Sequence, residues 1–145
     1  MKRLMLMGVL LCACGDDDTL PGLDCERGAY RVSGEIDGAS VGLSERYRSL
    51  TLFNIRESSI DVRSDQGTSV VLHWTGSVPN DREANFDSGE VAGSDPAFAD
   101  GICATEGTFV LIRDGVRADL TGLKRGDCVT GSPVSGTLKV CTQKD

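Results

Sequence analysis

Aromatic side chains are scarce in this sequence: one Trp, two Tyr and four Phe among 145 residues. A protein that grips sugars or lipids through ring platforms, or encloses them in a large apolar cavity, uses more of them. Histidine is scarcer still, His73 being the single one. Metal catalysis calls for several histidines or carboxylates at fixed spacing, and neither is present. A Ser-His-Asp triad would have to use His73, yet there is no G-x-S-x-G elbow, and His73 lies within an alternating run and not on a loop. It reads as a structural histidine, solvated or hydrogen-bonded. No catalytic residue, metal ligand or cofactor is therefore expected. Clustered Lys and Arg are also missing from a chain of net charge −7, which excludes nucleic acid, where neutralised phosphates supply most of the affinity. No apolar run approaches the ~20 residues that span a bilayer, and no amphipathic segment of helical period has useful length.

What is present begins at the N-terminus. Lys2 and Arg3 give a positive start, Leu4 to Leu11 are almost wholly apolar, and Leu11-Cys12-Ala13-Cys14 is followed by Gly15-Asp16-Asp17-Asp18. A charged start, a short apolar run and small residues at a cleavage point describe an export signal. At these residues the chain resembles the signal peptide and lipobox of bacterial lipoproteins. The resemblance covers the first eighteen residues or so. It implies that Cys14 is lipidated on sulfur, becomes the first residue after cleavage, and is then acylated on its amine. Taking Cys12 as the modified residue would put bulky Leu11 at the cleavage point. The expected organisation is a signal peptide over 1–13, removed on export, an acidic flexible tether over 14–24, and one domain over 25–145. Losing Lys2 and Arg3 takes the net charge from −7 to −9, which suits anionic headgroups poorly. Membrane attachment would then rest on the acyl chains, at ~0.8 kcal/mol per buried CH₂.

With Cys12 removed and Cys14 lipidated, Cys25, Cys103, Cys128 and Cys141 remain. Four cysteines in an exported chain read as two disulfides, and none of their spacings is the C-x₂₋₄-C of structural zinc.

From Tyr30 the sequence alternates. Tyr30, Val32, Gly34 and Ile36 interleave with polar residues up to Asp37-Gly38, beyond which Ala39, Val41 and Leu43 do the same. Asp-Gly between alternating runs predicts a hairpin with a type I′ turn. Folding there pairs Ile36 with Ala39, Gly34 with Val41 and Val32 with Leu43, all on one face. Residues 45–49 read as a polar loop or a single helical turn. Leu50–Arg56, Ile60–Arg63 and Thr68–Thr75 read as strands, the last with Val70, Leu72 and Trp74 on one face and Val71 and His73 on the other. A second hairpin is expected about Asp114-Gly115, pairing Arg113 with Val116, Leu111 with Ala118 and Phe109 with Leu120. Its other face, with Ile112, Val110, Arg117 and Asp119, reads as the solvent side. A final strand runs from Val134 to Val140. The fold expected is all-β, a single antiparallel β-sandwich stapled by disulfides, with a small β-barrel as the alternative.

If the last three strands form a meander, Cys103 and Cys128 both lie at the end away from Asp114-Gly115. Cys141 returns to the near end. Bridged cysteines need Cα atoms within about 7 Å, so the expected pairs are Cys103–Cys128 and Cys25–Cys141.

The stretch 76–102 is rich in Gly, Pro and acidic residues, with only Asn85-Phe86 or Glu90-Val91-Ala92 able to form a short strand. Irregular stretches this long are often functional or mobile. It lacks the D-x-D-x-D-G spacing of a calcium loop, and its aspartates read as solubilising charge. Nor does the chain show the early G-x-W of a lipocalin-type carrier. The functional expectation is a lipid-anchored cell-envelope protein, not an enzyme, with a binding or structural β domain. Its partners would be the membrane, through Cys14, and an envelope protein or ligand met through 76–102. A small-ligand carrier and an envelope hydrolase are the alternatives.

Overall fold

The computed structural model describes residues 25–46, 50–56, 58–64, 67–113 and 115–144. The expected signal peptide over 1–13, Cys14 and the expected tether over 14–24 lie outside them. Among the described residues there are eleven strands: β1 (Ala29–Ile36), β2 (Ala39–Arg46), β3 (Leu50–Arg56), β4 (Ser59–Ser64), β5 (Ser69–His73) and β6 (Glu83–Asn85), then β7 (Ser88–Ala92), β8 (Ile102–Ile112), β9 (Gly115–Arg125), β10 (Ser132–Pro133) and β11 (Gly136–Gln143). No helix among the described residues is long and apolar enough to cross a membrane.

All the strands belong to one antiparallel sheet ordered β2-β1-β11-β9-β8-β7-β5-β4-β3, with β10 added to β9 and β6 to β8. The path ends in two unjoined strands, so the sheet folds over as a sandwich and does not close into a barrel. Three contacts bring its two halves together. Tyr30 on β1 donates from its hydroxyl to Thr68 Oγ1, just before β5, at 2.9 Å. Leu43 on β2 reaches within ordinary contact of the space beside Gly93, just past β7. Trp74 stacks on Phe109 with ring centroids 4.6 Å apart.

The first hairpin has the register that its alternation dictates: Ile36 opposite Ala39, Gly34 opposite Val41, Val32 opposite Leu43. Asp37 and Gly38 both have positive φ, 51° and 81°, the geometry of a type I′ turn. The Asp37 carboxylate also accepts from the Ser135 N–H at 3.0 Å, tying the turn to the chain entering β11. β2 continues through Glu45 and Arg46 where a loop is expected from the sequence, and residues 47–49 lie outside the described ones. On β5, Val70 and Leu72 are buried, as is Trp74 beyond its end, while His73 is exposed.

The second hairpin differs from the expectation by two residues. Leu111 pairs with Val116 and Phe109 with Ala118, and the ladder ends at Ile112 opposite Gly115, so Gly115 belongs to β9 and the turn is not centred on Asp114-Gly115. Asp114 itself lies outside the described residues. A shift of two preserves which side chains face the core, because the strand period is two. It also moves Arg113 out of the apolar row into the exposed turn, where it holds φ 51°. The expected solvent face of this hairpin is corrected too. Val110 and Ile112 are buried, forming a second apolar cluster with Cys25 and Cys141. The disulfide from β11 lies over them.

The long hairpin of β8 and β9 exchanges its faces midway. Phe109 and Leu111 share the main core with Val116, Ala118 and Leu120, but nearer the other end Ile102, Ala104 and Leu123 do so. Odd and even positions trade roles on both strands. The exchange falls where Thr105 and Gly122 stand opposite, a pair missing from the ladder between Ala104–Leu123 and Glu106–Thr121. Gly122 has φ 59° there, and Thr105 Oγ1 donates to its carbonyl at 3.1 Å. One hairpin thereby joins β7 with its first part and β11 and β6 with its second.

Candidate functional site

Two covalent staples organise the outer surface of the sandwich. Cys25 is bonded to Cys141, with Cα atoms 5.9 Å apart, and Cys103 to Cys128, with Cα atoms 5.2 Å apart. The second follows from the meander of β8, β9 and β11. Cys103 stands opposite Lys124 near the end of β9, and Cys128 lies in the turn just beyond. That turn is built by Asp127, whose carboxylate accepts from the N–H groups of Val129 and Thr130 and from the Thr130 hydroxyl. These bonds, the Thr130 hydroxyl foremost, hold the Asp127 carboxyl below its ordinary pKa. Lys124 Nζ donates to the Cys128 carbonyl at 2.9 Å, holding the bridged residue to β9.

Glu90 on β7 stands opposite Cys103. Glu90, Cys103 and Cys128 bring their ligand atoms within 4.8 Å of one another, the one such trio among the described residues. Both sulfurs are already bonded to each other, which leaves a single carboxylate and no metal-binding set.

His73 stands between Ser59 and Ser88 in the ladder. Its imidazole makes no hydrogen bond to a nucleophile or a carboxylate among the described residues. The arrangement is that of an exposed strand histidine.

The stretch 76–102 is more ordered than its composition suggests. β6 pairs with β8, and β7 lies between β5 and β8. Its apolar residues Phe86, Val91 and Phe98 are buried in the core, Phe98 completely. Asp95 closes the turn that inserts Phe98, accepting from the Ala97 N–H at 2.8 Å. Asp87 accepts from the Thr75 hydroxyl at 2.7 Å. Its carboxylates are therefore dispersed among separate turns and strands, and its large apolar residues Phe86, Val91 and Phe98 face inward.

A feature that no motif in the sequence marks lies on the outer face of β1, β11 and β9. Arg31, Cys141 and Arg117 are aligned across the three strands in one row, and Ser33, Lys139 and Asp119 in the next. With Val140 they line an open hollow of about 240 Å³. These residues come from the two ends of the domain, and only the insertion of β11 between β1 and β9 assembles them. The only trace in the sequence is that each basic residue occupies an outward position of an alternating run.

In comparisons with protein-family models, with curated proteins and with solved structures, nothing matches this chain.

Proposed function

We propose that this protein is exported, anchored in the bacterial cell envelope by lipid on Cys14, and acts there as a binding module and not as an enzyme. The observation that carries the reading is the pair of disulfides, which close separations of 116 and 25 residues. Such bonds persist in oxidising compartments and are rare in the cytosol. The order Lys2-Arg3, apolar run, Leu11-Cys12-Ala13-Cys14 supplies a matching export and lipidation signal. The binding role is supported by an interior filled by Tyr30, Phe98, Phe109, Leu72 and Leu138, which leaves the surface as the place for ligands.

Metabolic labelling with a radioactive fatty acid tests the anchor. The wild-type protein should take up label and appear as a mature form beginning at Cys14. Cys14→Ser should yield an uncleaved, unlabelled precursor. Label retained by Cys14→Ser would overturn the assignment.

A further inference from the structure

Acidic residues outnumber basic ones in this chain, 22 to 15, yet the hollow on β1, β11 and β9 gathers Arg31, Arg117 and Lys139 against Asp119 alone. Neighbouring strands are ~4.8 Å apart, so the two arginines rise on either side of Cys141 from backbones ~10 Å apart. The short Cys141 side chain, drawn into its bridge to Cys25, leaves the space between them open. Lys139 stands one row along, with Asp119 directly opposite on β9. Arg31 and Lys139 nevertheless make no ion pair or side-chain hydrogen bond among the described residues. Two cations thus border the hollow with their donors uncommitted, and a third forms its far wall.

From this geometry we infer that the hollow between Arg31, Arg117 and Lys139 is a binding site for a phosphate monoester. Three basic residues on three adjacent strands around one hollow suit a tetrahedral group with three terminal oxygens better than a planar carboxylate with two. A monoester carries about −1.5 to −2 charges at neutral pH, a charge of the sign and size that Arg31 and Lys139 together can balance. The Ser33 hydroxyl adds a neutral donor at the edge. Asp119 faces the site as an acceptor, suited to a hydroxyl on the ester's alcohol portion. The inference goes beyond the lipid-anchor reading and does not depend on it.

The ester can be free in solution or displayed on a lipid headgroup, and the test separates the two. The whole ¹⁵N-labelled protein, disulfides intact, is titrated with glycerol 3-phosphate. In parallel, its sedimentation with vesicles containing phosphatidate is compared with that on phosphatidylcholine alone. Saturable shifts at Arg31, Ser33, Arg117 and Lys139, weakening as salt is raised, are expected for a soluble ester. Phosphatidate-dependent sedimentation assigns a headgroup. In either arm, the double variant Arg31→Gln/Lys139→Gln, with its thermal midpoint unchanged, should bind about tenfold more weakly or worse. No response in either arm would overturn the proposal, as would a response that the double variant leaves unaltered.

Discussion

The Tyr30 hydroxyl and Thr68 Oγ1, 38 positions apart in sequence, meet at 2.9 Å in the interior between the two halves of the sheet. Both residues are almost fully buried, at 1% and 3% exposure. Tyr30→Phe removes one partner and leaves the Thr68 hydroxyl one donor short in a dry setting. A loss of ~0.5–1.5 kcal/mol is expected, near the net value of a buried hydrogen bond. A double-mutant cycle with Thr68→Val in urea denaturation should show coupling of similar size. Strictly additive losses would remove this contact from the forces joining the halves.

The two hairpin turns make opposite demands on substitution. Gly38 has φ 81°, so Gly38→Val should lower stability by ~1–3 kcal/mol through backbone strain. Arg113 holds a left-handed conformation without being glycine. Arg113→Gly should relieve that strain and raise stability by up to ~1 kcal/mol, after the extra freedom gained by the unfolded chain. Denaturation midpoints that move the other way would place the second turn elsewhere.

These turns also mark where sequence patterning reaches its limit. Alternation and Asp-Gly suffice to place the first hairpin residue by residue. In the second, the same dipeptide is present at Asp114-Gly115, but folding there would turn Arg113 toward the core opposite Val116. The apolar row is equally well served by the shifted pairing, and the exposed arginine decides between them. The first part of β8 was illegible for a different reason. Ile102, Ala104, Phe109 and Leu111 reach one core through a change of parity, so no single period of two runs through them. Phe98 is hidden in a run of turn residues whose composition speaks only of solvent. The basic hollow depends on strand order, which local pattern does not encode.

Removal of the disulfides should separate their contributions. By loop entropy alone, closing 116 residues stabilises by about 4.8 kcal/mol and closing 25 by about 3.5 kcal/mol. Replacing Cys25 and Cys141 with Ala should therefore cost more than replacing Cys103 and Cys128. The order of denaturation midpoints checks this, and non-reducing peptide mapping should recover the two bridges.

Phe98 is completely buried although it comes from a loop. Phe98→Ala should cost ~3–5 kcal/mol, the usual range for emptying a large core site. A midpoint close to wild type would mean that the loop closes the gap at little cost.

Acid should loosen the turn that carries Cys128. The folded Asp127 carboxyl titrates below its ordinary value, chiefly because the Thr130 hydroxyl and then the backbone N–H groups favour the carboxylate. Its contribution is present above the unfolded pKa and is lost as pH falls through the lower folded one. In a ¹³C carboxyl titration, Thr130→Ala should move the Asp127 midpoint upward. An unmoved midpoint would show that the hydroxyl is not the group that lowers it.

β11, last of the strands in chain order, lies between β1 and β9. Ala29 thus pairs with Gln143, and among the described residues β1 and β2 have no ladder to the other strands except through β11. Until residues 136–143 emerge from the ribosome, the first hairpin and the remaining strands are two pieces without a common sheet. Pairings this distant in sequence are slow to form. Synthesis itself therefore keeps the sheet in two parts until β11 is made and can insert between β1 and β9.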